Sequence, residues 1–219
     1  MGREVDLLRN YPKAKRDLNA RAAAKTEADR AIARRFGKDF FDGDRRTGYG
    51  GFSYDPRFWS PVVPEIIEHF DLVAGDSVLD VGCAKGFMLF DLLTELPGLQ
   101  VGGIDVSEYA VANALEPVAR FLRVGSADSL PFPDDSFDVV ISINTIHNLD
   151  LAGCKKALTE IERVARRGSF ITVDAFRNSK EEERMTQWNL TAKTILSVED
   201  WIRLFDDVDY TGDYYWFIP

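Results

Sequence analysis

The chain has 219 residues, of which 45% are hydrophobic and 29% charged, with 16 Gly, 9 Pro and 2 Cys. This composition is ordinary for a globular protein and excludes the collagen-like, low-complexity and wholly disordered classes. A domain of this size buries roughly 70% of its unfolded surface, so it needs no disulfide or metal to fold. The cysteines, Cys83 and Cys154, are too few for a disulfide scaffold and too far apart for a metal knuckle.

No apolar run reaches the roughly 18–20 residues that a membrane span requires. The first residues lack the apolar segment and cleavage site of a secretory signal. Asp6 stands where an N-myristoylation pattern has Ser or Thr. We therefore expect a soluble, cytoplasmic protein without a membrane partner.

Charge is distributed unevenly along the chain. Residues 1–35 carry a net charge of +5 and the remainder a net charge of −14. A body this acidic repels phosphate backbones, so nucleic acid is not expected as a partner. The basic segment could be a nucleic-acid arm, but its acids and alanines are more typical of a solvated or partly docked helix. We predict this helix over 14–36, ending near Gly37.

The predicted elements alternate after a loop at 37–61 that is dense in glycine, aromatic residues and arginine. In chain order they are a helix at 62–70, a strand at 76–82, a helix at 86–96, a strand at 99–106, a helix at 107–118, strands at 119–125 and 137–143, a helix at 152–166, a strand at 169–176, an insertion at 177–196, a helix at 197–207 and a strand at 213–219. This alternation predicts a parallel sheet covered by helices on both faces. Ligands of such sheets bind beyond the carboxyl ends of the strands.

The first strand runs directly into a glycine-rich turn, 80–86, that opens a helix. Gly82 permits a tight turn, and Gly86 lets the start of the helix approach a ligand. The segment resembles the loop of class I S-adenosylmethionine (SAM)-dependent methyltransferases, in which an acidic residue precedes GxGxG. It differs from the GxGxxG spacing of NAD-binding proteins. Ala84 replaces the usual middle glycine, and we expect it to fit provided that the position does not need a positive φ.

Three further segments agree with this resemblance. Asp105 ends the second strand, where an acid can accept hydrogen bonds from both ribose hydroxyls, although NAD enzymes also place an acid there. Residues 125–128 are similar to the family's adenine-binding segment, and 130–140 matches its approach to the fourth strand. The order and spacing of these blocks over 75–175 identify the chain as a member of the class I family. An NAD reductase is the alternative, but no obvious Tyr-x-x-x-Lys pair serves it.

The resemblance, which is to the small bacterial type, implies a fold and an activity. The expected fold is a doubly wound, mostly parallel, seven-stranded Rossmann-like sheet with an N-terminal helical and lid segment. We divide the chain into that segment, 1–61, and a SAM-binding domain, 62–219. The implied activity is in-line SN2 transfer of the SAM methyl group to an oxygen or nitrogen of a small molecule, without a metal, by a possible homodimer. A sugar, nucleotide-sugar or secondary metabolite is the acceptor that the resemblance suggests.

Two other functions remain open. The first is a SAM-binding scaffold or regulatory protein, or an enzyme that uses the SAM site without methylating, which the departure at Ala84 encourages. The second and weaker one is a protein methyltransferase, which the sequence disfavours because no substrate-recognition domain is appended.

The resemblance also implies a set of cofactor contacts. Asp80 would contact the sulfonium end or organise the loop, or else only cap backbone amides. Lys85 could simply be solvated, and Cys83 is interpreted as a small packing residue rather than a catalytic thiol. The complete cofactor-binding set is Asp80, Gly82, Cys83, Ala84, Gly86, Asp105, Val106, Ser126, Ala127, Asp128 and Asn144.

His147 follows the fourth strand, at the position that faces the transferred methyl group in the family. A histidine there could remove a proton from a hydroxyl or amine, and His147 is the catalytic candidate. The alternative is a histidine that packs against the next helix and holds the loop by a hydrogen bond. His69 is expected to be structural.

Two segments are candidates for contacting the acceptor. In the first, 48–59, paired glycines allow closure as a lid, Tyr49, Tyr54 and Trp59 could wall the cavity, and Arg57 could hold an anionic group. Alternatively, its aromatic residues anchor it on the sheet edge. In the insertion at 177–196, Trp188 and Asn189 could set acceptor specificity, although an amphipathic packing helix fits equally well.

Overall fold

The computed structural model describes residues 2–12 and 26–219. Seven strands form one sheet in the order β3-β2-β1-β4-β5, with β6 and β7 both paired to β5. Every ladder between these strands is parallel. The strands are β1 (Ser77–Val81), β2 (Gln100–Asp105), β3 (Leu122–Val124), β4 (Phe137–Ile143), β5 (Ala165–Phe176), β6 (Leu196–Ser197) and β7 (Asp213–Phe217). The predicted doubly wound, seven-stranded sheet is confirmed.

Ten α-helices lie in the described part of the chain. They are α1 (Glu27–Ala33), α2 (Lys38–Phe41), α3 (Pro56–Trp59), α4 (Val63–His69), α5 (Phe87–Glu95), α6 (Glu108–Ala112), α7 (Glu116–Ala119), α8 (Leu151–Val164), α9 (Ser179–Trp188) and α10 (Val198–Asp207). A short 3₁₀ turn, Ile146–Asn148, follows β4. Of the helix predicted over 14–36, the structure contains α1, and residues 14–25 lie outside the described residues.

The helices cover both faces of the sheet because the central strands are apolar on both sides. All residues of β1 after the first are buried, and β4 is buried over its five central residues. On one face α8 and α10 pack through a cluster that includes Leu158 and Trp201. On the other face α4 and α5 pack through a cluster that includes Ile66 and Leu89.

The helix predicted over 107–118 is two short helices, α6 and α7, and Pro117 explains the break. Proline lacks an N–H and clashes with the carbonyl four residues earlier, so it is tolerated only in a first turn. Here it lies in the first turn of α7, and α6 ends before Asn113.

Residues near the start of the chain pack against the sheet rather than apart from it. Glu4 forms a parallel bridge with Tyr214 of β7, and Leu7 is buried in the cluster that contains Ile66. His69 contacts the same strand, with its Nε2 2.8 Å from Asp213 Oδ2, as expected for a structural histidine. The division at residue 61 stays a prediction. Within the described ranges no helix is both long and apolar enough to cross a membrane.

Candidate functional site

The carboxyl ends of β1 and β2 meet at the glycine-rich turn. Gly82 has φ +89°, and a Cβ there would lie 2.0 Å from Thr145 Oγ1, so no other residue fits without displacing the turn after β4. Gly86 has φ +79° and is the N-cap of α5. A Cβ on Gly86 would lie 2.8 Å from a methyl group of Val118. Both glycines are therefore required by geometry, as the sequence predicts.

Ala84 adopts the left-handed conformation, with φ +49°. We expected alanine to fit provided that this position needs no positive φ. The structure does not meet that condition. A non-glycine residue in this region costs about 1–2 kcal/mol. A hydrogen bond stabilises this strained backbone conformation, because the Ala84 amide donates to Asp105 Oδ2 at 2.8 Å.

Asp105 is buried at the end of β2 and accepts two backbone amides. The second donor is Ser107 N, 2.8 Å from Oδ1. Burial raises the pKa of Asp105, and the Ser107 and Ala84 amides oppose that rise. A carboxylate oxygen has room for a further donor, so ribose hydroxyls can still bind it. The next residue, Val106, has an exposed apolar side chain, and its role as a cofactor contact stays a prediction.

The segment after β3 lies next to β2, the strand that ends in Asp105. The Ser126 hydroxyl donates to the Asp128 carboxylate, and Ala127 is buried. The predicted adenine-binding segment thus neighbours the predicted ribose carboxylate. Their roles stay predictions.

Asp80 is a buried acid next to the last residue of β1. Burial, together with the nearby Asp105 carboxylate, raises the pKa of Asp80 to about 8. Among the described residues no donor hydrogen-bonds its side chain, so the alternative role of capping loop amides has no support in this geometry. An unpartnered buried carboxyl suits a cationic ligand.

Two neighbours in the turn differ in character. Cys83 is buried, and burial raises the pKa of its thiol well above the ordinary value, which fits a packing residue. The interpretation of Lys85 as a solvated side chain is wrong. Lys85 is buried, and its Nζ donates to Asp42 Oδ1 at 2.6 Å and to the Phe52 carbonyl at 2.8 Å.

His147 is buried in the 3₁₀ turn after β4. Its Nδ1 accepts the backbone N–H of Asp174 at 3.0 Å. Because a backbone amide only donates, the neutral ring must carry its proton on Nε2, and no free basic nitrogen remains. Burial lowers the pKa of His147, and the Asp174 carboxylate only partly opposes this. The general-base role stays a prediction, and this geometry favours the packing alternative.

The Asp174 carboxyl, near the end of β5, faces the protonated nitrogen of His147. Asp174 Oδ2 lies 3.7 Å from His147 Nε2, and the Asp174 side chain is 10% exposed. Burial raises the pKa of Asp174, and His147 opposes this. Among the described residues no group donates a hydrogen bond to this carboxylate, although the Asp174 side chain is buried. The site therefore holds a buried acceptor that lacks a donor.

Two of the aromatic residues predicted as a lid, Tyr49 and Tyr54, lie in a segment that contacts the glycine-rich turn through Phe52 and α5 through Tyr54. Tyr49 stacks on Phe40, with ring centroids 5.3 Å apart, and packs edge-on against Phe52, whose carbonyl accepts a hydrogen bond from Lys85. Tyr54 donates its hydroxyl to Asp91 Oδ1 of α5 at 2.5 Å. Tyr49 thus packs among the aromatic residues of its own segment, and Tyr54 is anchored on α5; their roles toward an acceptor stay predictions.

Other acceptor candidates have protein partners in this structure. Arg57 is exposed and pairs with Asp55 two residues away, with Nη2 2.6 Å from Oδ2. Trp59 packs edge-on against Tyr11, and Trp188 packs against Phe217. Asn189 is buried, with its side chain bonded to the backbone of Ala192 in a turn. The roles assigned to these residues stay predictions.

Asn144, at the carboxyl end of β4, is exposed and has φ +52°. Its Oδ1 accepts the Thr172 hydroxyl at 3.0 Å, and its backbone N–H donates to the Thr172 carbonyl at 3.0 Å. Asn144 follows β4, which lies between β1 and β5 in the sheet, and its contact with a cofactor stays a prediction.

Sequence reasoning missed Asp174 and Asp42. Asp174 ends an apolar strand as Asp80 and Asp105 do, and that shared pattern was the available signal. Asp42 lies in a loop and carries no local signal, because its importance comes from Lys85, more than forty residues later.

Comparison with known proteins shows which family this chain resembles in sequence. A family described as "Methyltransferase domain" matches residues 72–212, well over half of the chain. The chain is 32% identical to a demethylmenaquinone methyltransferase of Symbiobacterium thermophilum over 154 residues, covering 65% of this chain and 59% of that protein. It is 39% identical to the nocamycin O-methyltransferase of Saccharothrix syringae over 90 residues, covering 38% and 32%.

The fold also matches solved structures. Phosphoethanolamine N-methyltransferase 2 of Haemonchus contortus, solved in complex with SAM, is similar with a TM-score of 0.56 and 22% identity, covering 80% of this chain and 44% of that one. The chain spans less than two thirds of each of these relatives. The glycine-rich turn, the acid ending β2 and strands β1 to β6 lie within the matched region, and β7 lies just beyond it. The chain therefore belongs to the methyltransferase domain family.

Proposed function

We propose that this protein binds SAM across the carboxyl ends of β1, β2 and β3 and transfers its methyl group to a hydroxyl of a small molecule. The glycine-rich turn and Asp105 are suited to the methionine and ribose moieties, and the segment at 125–128 to adenine. The observation that carries the acceptor side is the buried carboxylate of Asp174 on the same edge of the sheet, which faces His147 and accepts no hydrogen bond among the described residues.

Asp174 is the proposed proton acceptor. As the nucleophilic oxygen forms its bond to the methyl carbon, the carbon–sulfur bond breaks and its electron pair stays on sulfur. The hydroxyl proton passes to an oxygen of Asp174, so charge and atoms balance. The raised pKa of Asp174 makes it a better base than an exposed carboxylate. His147 orients it, because Nε2–H faces Asp174 Oδ2 and Nδ1 holds the Asp174 backbone amide.

A hydroxyl acceptor fits this arrangement better than an amine. A neutral amine attacks with its own lone pair and loses its proton afterwards, so it gains little from a buried base. A hydroxyl is a weak nucleophile until its proton is shared. The O-methyltransferase named among the relatives is consistent with this choice. Sugars, nucleotide-sugars and secondary metabolites all present such hydroxyls.

The test is a screen for S-adenosylhomocysteine (SAH) release from SAM, with phenols, sugars and amines as separate acceptor sets. Hydroxyl acceptors should support release by the wild type. Asp174→Asn should lower kcat by about 100-fold or more with SAH affinity unchanged. The matched control is Asp207→Asn, which changes an exposed carboxylate paired with Lys155.

Other outcomes contradict the proposal in distinct ways. Release with amines alone would contradict the hydroxyl acceptor. Full activity of Asp174→Asn with a hydroxyl acceptor would contradict its role as base. Tight SAM binding without SAH release from any small molecule would favour the scaffold or a protein acceptor. The possible homodimer can be tested on the same preparations by sedimentation.

A further inference from the structure

One segment, residues 36–59, crosses the two elements that are suited to holding the cofactor. We call it the covering segment. Its first residue accepts a hydrogen bond at its carbonyl from the Ser107 hydroxyl, just after β2. Further along, the Phe52 carbonyl accepts a hydrogen bond from Lys85 in the turn after β1, and Tyr54 donates its hydroxyl to Asp91 of α5. The covering segment therefore lies against the ends of both β1 and β2.

Lys85 is the central attachment of this segment. It is the residue before Gly86 in the glycine-rich turn, and only 7% of its side chain is exposed. Its single ammonium bonds two points of the covering segment ten residues apart, Asp42 Oδ1 at 2.6 Å and the Phe52 carbonyl at 2.8 Å. A buried ammonium is costly unless it is paired and hydrogen-bonded, so these contacts form or break together.

Asp42 extends the attachment to a second cofactor element. Its other oxygen, Oδ2, accepts the Tyr109 hydroxyl of α6 at 2.8 Å. One carboxylate thus joins the covering segment to the turn after β1 and to the helix after β2. Gly50, with φ +102° and open space around it, supplies a point at which the segment can bend.

We propose that Lys85, Asp42 and Tyr109 form a latch that holds the covering segment closed over the cofactor site, so that opening of this latch limits the rate at which cofactor leaves. The latch rests on the proposed cofactor site. Lys85 is a positioning residue, since it acts through the covering segment and not on reacting atoms. Breaking the latch speeds dissociation without altering the Asp105 contacts.

The experiment measures SAH dissociation by stopped-flow displacement for the wild type, Lys85→Met and Asp42→Asn. Lys85→Met keeps the length of the side chain and removes its charge. We expect both variants to release SAH about tenfold faster or more, with association changed much less. The double variant should release SAH no faster than Lys85→Met alone, because both changes break one latch. Lys156→Met, at an exposed lysine on α8, is the control and should match the wild type.

Hydrogen exchange on the cofactor-free proteins separates the latch from general destabilisation. Residues 36–59 should exchange faster in Lys85→Met, while β4 and β5 keep wild-type protection. Tyr109→Phe, which alters a more exposed group, keeps the test available if Lys85→Met does not fold. Unchanged dissociation in folded Asp42→Asn and Tyr109→Phe would overturn the latch alone. Failure of the folded wild type to bind SAH would overturn the proposed cofactor site as well.

Discussion

Replacement of Asp80 by asparagine should change how the stability of the cofactor-free protein depends on pH. The pKa of this buried carboxyl is about 8 in the folded protein, against an ordinary value of 3.8. Between those values the folded state holds a proton that the unfolded state has released. The free energy of unfolding therefore falls as pH rises, by about 1.4 kcal/mol per pH unit. Between pH 5 and pH 7 the ionisation of Asp80 alone should lower the free energy of unfolding by about 2.7 kcal/mol.

The assay is urea unfolding without cofactor at pH 5, 6 and 7, for the wild type and Asp80→Asn. Groups that are not coupled to Asp80, among them His147, contribute equally to both proteins, so the difference between the two curves reports Asp80 together with its coupling to Asp105. Asp80→Asn should gain stability relative to the wild type as pH rises, and most of the difference should appear by pH 7. Parallel curves across this range would refute the reasoning, because they would mean that Asp80 is ionised in the folded protein at no cost.

Three further predictions concern the glycine-rich turn and the thiols. Ala84→Gly should raise the free energy of unfolding by about 0.5–1 kcal/mol. The reason is that relief of about 1–2 kcal/mol of backbone strain outweighs the added conformational entropy of the unfolded chain. A loss of stability in urea unfolding would contradict the left-handed conformation of Ala84. Gly82→Ala should destabilise the fold by at least about 2 kcal/mol, because its Cβ would meet the Thr145 side chain, and a wild-type midpoint would argue against that contact. Cys83 and Cys154 should react with a thiol reagent only on unfolding, since both are buried and burial raises their pKa values; rapid labelling of the native protein would contradict this.

Much of the fold was predictable because its signals are local. Near-continuous apolar runs such as 137–143 predict strands buried on both faces, and the glycines of the first turn mark where β1 passes into α5. The acid at the end of β2 follows the same logic. These features depend on a few consecutive residues, and the structure reproduces them.

The remaining features depend on residues that are distant in sequence. The state of His147 is decided by the backbone amide of Asp174, 27 residues later, which occupies its basic nitrogen. Lys85 is buried because the covering segment supplies a carboxylate and a carbonyl. The left-handed conformation of Ala84 is likewise held by the Asp105 carboxylate. No local pattern carries these contacts, since each arises only when the strands assemble.

The most direct test of the account is a calorimetric titration of SAM and of SAH into the wild type and Asp105→Ala, with Asp207→Ala as the control for removal of an exposed carboxylate. The account predicts micromolar binding of both ligands by the wild type and by the control. It predicts binding at least about tenfold weaker in Asp105→Ala, since two ribose hydroxyls lose their acceptor. Absence of binding by the folded wild type would contradict the cofactor assignment, and equal binding by Asp105→Ala would contradict the proposed orientation of the ribose.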